Sequence, residues 1–291
     1  MIDAHHHIWR QTDLPWLTGP MQPRIFGAYE AIRRDYPIRE YLEDARPSGI
    51  TGSVYVQANW PAPQFLEEAQ RLQSVADATG WPHAIVAYAD VTTRDARRQF
   101  DALAAVPLVR GIRMQLHWHE NPQYRFATEP DLARDPDVQA NVAALAGYGF
   151  SFDLQVFAPQ MPGAAELAAL CPEVRFVLQH AGMLEDTSEL GLAAWRDGMA
   201  LLAAQPNVFC KLSGLGTFIH RNDPDHIARI VAESLALFGP ERCLWGSNFP
   251  IEKLWTTYAD LFDAHWRATA ALAPEQRGQV FEATARRVYR I

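Results

Sequence analysis

Met1-Ile2-Asp3-Ala4-His5-His6-His7-Ile8-Trp9 opens the chain with three histidines inside an apolar frame. Read as a strand, its side chains alternate with a period of two, which puts Asp3, His5 and His7 on one face. Two imidazoles two residues apart on a strand can converge on one ion or one substrate oxygen. A tag remnant would carry a linker, whereas Ile2-Asp3 and Ile8-Trp9 keep this run within a strand pattern. On this reading Asp3 lies one pleat deeper and orients an imidazole.

Working outward, apolar and β-branched runs recur at Thr51–Ala58, Ala84–Ala89, Val109–Leu116, Phe150–Phe157, Val174–Gln179, Val208–Leu212 and Cys243–Gly246. Helix-period segments separate most of them, among them Gln64–Thr79, Asp137–Gly147 and Pro224–Phe238, and a last one spans Pro274–Tyr289. Eight strands alternating with helices predict a (β/α)8 barrel, a distorted TIM barrel forming one domain over residues 1–291. A parallel sheet covered on both faces also explains why the runs are nearly all apolar. The competing doubly wound sheet lacks its phosphate-binding Gly-x-Gly-x-x-Gly after the first strand. Long connections follow strand one (Arg10–Ser48), strand four (His117–Arg134) and strand seven (Gly214–Asp223), and are expected to wall the active-site end.

With 48% hydrophobic and 21% charged residues, the 291-residue chain has the composition of a globular protein with a large core. Its formal net charge of -8 argues against nucleic acid or an anionic membrane as partner. Cys171, Cys210 and Cys243 are widely spaced, with no Cys-x-x-Cys, so no disulfide framework or cysteine zinc site is expected. No apolar run approaches the roughly 18 residues of a membrane span and no signal-peptide pattern opens the chain, which leads to the expectation of a cytoplasmic protein. The expected partner is a small-molecule substrate.

In a barrel of this kind, functional groups sit at the C-terminal ends of strands. Polar residues gather there: His5 and His7, Gln57 and Asn59, Arg113 with Gln115 and His117, Asp153 and Gln155, His180, Lys211 and Ser213, and Asn248. Leaving each such group buried and unsatisfied costs about 1 to 3 kcal/mol, so their recurrence at one end points to a ligand site. His5, His7 and His180 could give three neutral nitrogens to a divalent ion such as Zn2+, leaving a position near Asn248 for water. The same histidines could instead stabilise an oxyanion without metal, and the sequence leaves both open. Arg113 and Lys211 are the best anion anchors, the bland alternative being an interior ion pair with Asp153. Gln57, Gln155, Asn59, His117 and Arg221 could bind hydroxyls, and Trp60, Trp118, Phe249 and Trp255 could stack on a ring.

Val109-Arg110-Gly111-Ile112-Arg113, Val177-Leu178-Gln179-His180-Ala181-Gly182, Lys211-Leu212-Ser213-Gly214 and Gly246-Ser247-Asn248-Phe249-Pro250, together with the opening stretch, carry a resemblance over essentially the whole chain. The chain resembles the amidohydrolase superfamily, within it the amidohydrolase-2 group of sugar-lactone and muconolactone-type lactonases. The resemblance implies a His-x-His after strand one at His5 and His7, a histidine after strand six at His180, and an aspartate general base after strand eight. Here that place holds Asn248, and an amide cannot accept a proton. Some similar sequences also carry Gly-Ser-Asn-Phe-Pro, so the substitution does not by itself mark a dead enzyme; Asp153, then His117 or His119, stand next as bases. No lysine follows strand four and no histidine follows strand five, which speaks against the two-metal site of larger relatives. Zinc and metal-free action both occur among similar lactonases, and many similar barrels form homodimers.

These readings converge on a hydrolase of a small cyclic ester, a sugar lactone or a related carboxylated lactone, attacked by water near His5, His7 and His180. The alternatives are a zinc-dependent decarboxylase of a small carboxylate and, because of Asn248, a barrel that binds a small acid without turning it over.

Overall fold

The computed structural model describes all of residues 1–291. Eight parallel strands follow chain order around the sheet: β1 (Ile2–His6), β2 (Gly52–Val56), β3 (Ala84–Ala87), β4 (Val109–Ile112), β5 (Ser151–Leu154), β6 (Phe176–Leu178), β7 (Val208–Leu212) and β8 (Cys243–Trp245). Each lies inside one of the apolar runs, and the runs extend past the strands because their polar ends turn out into loops. Closure from β8 to β1 uses the residues just beyond β8: Asn248 N donates to His5 O at 2.7 Å and His7 N to Phe249 O at 2.7 Å. Gly246 permits this approach, since a Cβ there would lie 2.7 Å from that of His5. The result is the (β/α)8 TIM barrel.

Helices Phe65–Thr79, Ala96–Ala104, Pro136–Tyr148, Met161–Leu170, Glu189–Ala203, Pro224–Phe238 and Tyr258–Ala268 surround the strands. One apolar cluster of 67 buried residues fills the space between helices and strands. A second, of 12, joins Ile2, Ala4, Val54, Val56, Ala84 and Val86 of the first three strands to Val288 and Tyr289 of the C-terminal helix Thr284–Tyr289.

The alternation expected for β1 does not hold. Its pairing with β2 runs Ile2 to Gly52 and Asp3 to Ser53, then His6 to Tyr55, so one extra residue in β1 makes a bulge. A one-residue slip exchanges the faces. Ile2 and Ala4 therefore join the interior cluster before the bulge, while His5 and His7 come together after it. Asp3 does not orient an imidazole. It accepts from Ser247 N at 2.8 Å, Ser247 Oγ at 2.6 Å, Tyr41 Oη at 3.0 Å and Tyr258 Oη at 2.9 Å. It is a clasp between β1 and the turn after β8.

The three long connections meet over the C-terminal end of the barrel. Gln123 Nε2 donates to Arg24 O at 3.0 Å, and His220 pairs through Nε2 with Ile25 O at 3.1 Å, so the first connection is held by both others. The Trp16 indole, 3.0 Å from Ala58 O, fixes it to the end of β2. No helix is long and apolar enough to cross a membrane.

Candidate active site

Beneath those connections lies a cavity of about 340 Å3, bordered by His7, Arg113, Gln115, His117, Gln155, His180, Thr217 and Asn248 among others. That volume suits a small molecule.

The strand ends hold the histidines in fixed states. His7 Nδ1 faces Val56 O at 2.7 Å and must carry the proton there, leaving the Nε2 lone pair free. That Nε2 lies 3.3 Å from Nε2 of His5. The His180 ring sits 4.9 Å from that of His5, with Nδ1 3.0 Å from Ser213 Oγ. Burial drives all of them toward the neutral form, with Arg113 or Lys211 adding to it: His7 falls to about 3, and His5 and His180 fall well below the usual imidazole value. Burial lowers His117 to about 3 as well.

Three of the residues at this end occupy left-handed backbone: Asn59 at φ 61°, His180 at φ 53° and Asn248 at φ 56°. Asparagine tolerates that region; histidine does so at a cost of about 1 to 2 kcal/mol. Strain of this kind at strand ends that line a cavity is where function is usually found. Gly214, at φ 61°, lets the β7 turn pass close to His180, for a Cβ there would stand 2.5 Å from Nδ1.

Arg113 is 4% exposed. Its Nη2 donates to Gln57 O at 2.6 Å and its Nη1 to Gln155 Oε1 at 3.3 Å, while Nε has no partner. Burial lowers its pKa to about 10, so it stays charged at neutral pH with no carboxylate bonded to it. It is therefore available to an anion in the cavity. Lys211 is not: its Nζ is bonded to Asp153 Oδ2 at 2.8 Å, both side chains being fully buried. The ion pair is the alternative reading come true, and it also removes Asp153 as a base. Asp153 further accepts from Gln179 Nε2 at 2.9 Å and Tyr289 Oη at 2.9 Å, and does not border the cavity.

Gln57 is likewise one layer back, donating to Gln115 Oε1 at 3.1 Å while its own Oε1 accepts from Asn59 N at 2.7 Å. Gln115 and Asn59 take its place at the wall, joined at 2.7 Å. His5 also stands behind His7 rather than at the cavity surface. Of the four aromatic residues suggested for stacking, none lines the cavity: the Arg125 guanidinium covers Trp118 at 4.8 Å, Phe249 packs on Tyr258 at 4.9 Å, and Trp255 donates to Glu252. Trp9, Trp16, Phe26, Phe126 and Phe218 supply the rings instead. Arg221 pairs with Asp223 at 3.0 Å.

Arg24, Arg125 and Thr217 also border the cavity, and no sequence pattern marks them. Arg24 had no periodic context to mark it. Glu252 was missed as well: it is fully buried four residues after Asn248, and burial raises its carboxyl to about 8.

A tetrahedral ion about 2.0 to 2.1 Å from each ligand separates two nitrogens by roughly 3.4 Å, so the His5 and His7 pair has the spacing of two metal ligands. A third does not join them: nowhere do three His, Cys, Asp or Glu side chains gather closely enough to hold an ion. His180 meets Ser213 through Nδ1, which leaves only its Nε2 for an ion, and position 248 offers an amide where an anionic ligand would stand. The donor set fits two ligands and falls short of a complete centre.

The sequence model described as Amidohydrolase matches residues 2–291. The chain is 34% identical to the uncharacterized protein y4mH of Sinorhizobium fredii, over all of this chain and 98% of that one. It is 30% identical to an L-fucono-1,5-lactonase of Burkholderia ambifaria, over all of this chain and 95% of that one. Among solved structures, a zinc-bound amidohydrolase of Burkholderia multivorans superposes with a TM-score of 0.83 at 27% identity, covering 100% of this chain and 99% of that one.

Proposed function

The chain belongs to the amidohydrolase family and is a lactonase-like hydrolase, and from that premise we propose that its substrate is a small cyclic ester bearing a carboxylate. The observation that carries the choice is the charge of the cavity: Arg24, Arg113 and Arg125 border it, and none of its 24 lining residues is Asp or Glu, in a chain of net charge -8. Three guanidinium groups without a single counter-charge favour an anion. A carboxylate held by Arg24 and Arg125 at the mouth leaves the ester carbonyl facing Arg113 and the histidines below. The relative named for L-fucono-1,5-lactone supports ring-opening of an ester as the chemistry, and its substrate is neutral.

In this reading Arg113 polarises the carbonyl and meets the oxyanion formed when water adds to it. The lone pair of neutral His7 Nε2 accepts a hydrogen bond from the water, and His180 stands beside it at the cavity wall. Trp16, Phe126 and Phe218 enclose the ring and exclude solvent. The decarboxylase reading has less support, since it calls for an ion that this donor set binds with only two ligands.

A panel of neutral sugar lactones and carboxylated lactones, assayed with metal content measured on the same sample, tests the proposal. Carboxylated substrates are expected to show kcat/KM higher by about tenfold or more, the worth of one charged hydrogen bond, with the advantage shrinking as salt rises. A preference for neutral lactones would refute the carboxylate, and no turnover of any ester would refute lactone hydrolysis.

A further inference from the structure

Hydrolysis of an ester needs a group to take the proton of the attacking water, and the cavity wall holds no carboxylate. Its histidines are poor acceptors, His7 and His117 having been pushed to about 3. One carboxyl lies directly behind the wall. Glu252 follows Asn248 by one turn in the loop after β8, is 0% exposed, and makes no salt bridge. Its Oε2 accepts from Trp255 Nε1 at 2.9 Å, while Oε1 has no partner. The β7 turn presses against it, because a Cβ on Gly216 would lie 2.8 Å from Oε2. The next residue, Thr217, borders the cavity, and its buried Oγ1 also lacks a partner. On the cavity side Glu252 is flanked by Thr217, which follows Gly216 in the β7 turn, and by Asn248, whose carbonyl oxygen accepts from Glu252 N at 3.3 Å.

Resting on the lactonase reading, we infer that Glu252 holds the proton of the attacking water, passed to it through the Thr217 hydroxyl, and so supplies from behind the wall what Asn248 cannot supply within it. The step balances. As the water oxygen bonds to the carbonyl carbon, its proton moves to Thr217 Oγ1 and the Thr217 proton moves to Glu252 Oε1. When the ring C–O bond breaks, the alkoxide takes a proton back by the same route, giving a hydroxy acid. Glu252 does not touch the substrate; it acts through Thr217 and is a positioning residue for the proton.

The surroundings suit a carboxyl that gains and loses a proton near neutrality. Burial lifts it to about 8, and only the polar neighbours Trp255, Asn248 and Thr217 pull it down. Nearby charged groups are engaged elsewhere: Lys253 with Glu40 and Asp44, Arg221 with Asp223, and His220 with Ile25 O.

The test uses Glu252→Gln, Thr217→Val, their combination, and Asn248→Asp placed in the Glu252→Gln background, each checked for a cooperative melting transition like that of the wild type. Wild-type kcat is expected to rise with pH about a midpoint near 8. Glu252→Gln should lose that limb and about 10²- to 10⁴-fold in kcat. Thr217→Val should match it, and the double variant should be no worse, since both remove one relay. Asn248→Asp should restore activity by putting a carboxylate in direct reach, a rescue that a packing role for Glu252 would not show. Wild-type rates and an unchanged pH limb in Glu252→Gln would overturn the inference alone; a wild type inert toward every ester would overturn the lactonase reading and the inference with it.

Discussion

Lys211 and Asp153 show at the level of single residues how a polar pair at a strand end can be structural. Both are fully buried at 2.8 Å, and Tyr289 and Gln179 complete the carboxylate's hydrogen bonds. Removing one charge leaves the other stranded in a medium that solvates it poorly. Asp153→Asn is therefore expected to destabilise the fold by about 3 to 5 kcal/mol, measured by denaturant unfolding. Asp153→Asn combined with Lys211→Met should recover much of the loss. An unchanged midpoint in Asp153→Asn would mean that the pair contributes nothing. Side-chain identities and strand positions were legible for this pair; the partner taken by Asp153 was not, because Lys211 and Arg113 present the same charge at similar depth. Glu252 was hidden for a different reason. A glutamate in a loop is ordinarily solvated, and only tertiary packing against Gly216 and Trp255 makes it a buried acid.

At the scale of the elements, the eight strands could be located from sequence because parallel strands covered on both sides are nearly continuous apolar runs. Loops were legible only as lengths. The Arg10–Ser48 connection is legible as a wall, yet Arg24 within it has no pattern to announce it, and apart from Trp9 beside β1 the aromatic lining comes from the long connections, through Trp16, Phe26, Phe126 and Phe218. The bulge in β1 was equally invisible, since nothing in Asp3-Ala4-His5-His6 marks an extra residue. The β7 turn offers a direct test of how tightly these elements are matched. Gly214→Ala adds a methyl 2.5 Å from His180 Nδ1 at a backbone φ of 61°. The ring must move, and a displacement near 1 Å in a catalytic group can cost about a hundredfold. Gly214→Ala should lower kcat/KM by tens-fold or more while costing only about 1 to 2 kcal/mol of stability. Equal kinetics in the variant would show that His180 need not be held in place.

For the molecule as a whole, buried ionisable groups set the pH range of stability. His7, His117 and His265 are depressed to about 3, 3 and 4, and His5, His6 and His180 are lowered too. Unfolded histidines near 6.5 take up protons that the folded state refuses, so their contribution is complete above about 6.5 and is lost as pH falls toward 3. Glu68 and Glu252 run the other way, raised to about 7 and about 8. Their unfolded forms ionise near 4.5 while the folded forms stay protonated, so stability declines as pH rises from there to about 8 and is level above. With more histidines than glutamates involved, the melting temperature should peak near pH 6.5. Glu252→Gln should flatten the alkaline side. A melting temperature constant from pH 4 to 9 would contradict the burial of these groups.

The clasp of Asp3 on Ser247 has a consequence in time. The two residues are 244 positions apart, and the hydrogen bonds that close the barrel also place His7 against Asn248 and Phe249. During synthesis, His5 and His7 are made long before Asn248 and Phe249, the residues that complete their surroundings. A nascent or truncated chain ending before residue 247 has the histidines but no closed barrel, no Asn248 and no Glu252. The cavity is therefore complete only once the last strand is in place, through the same bonds that complete the fold.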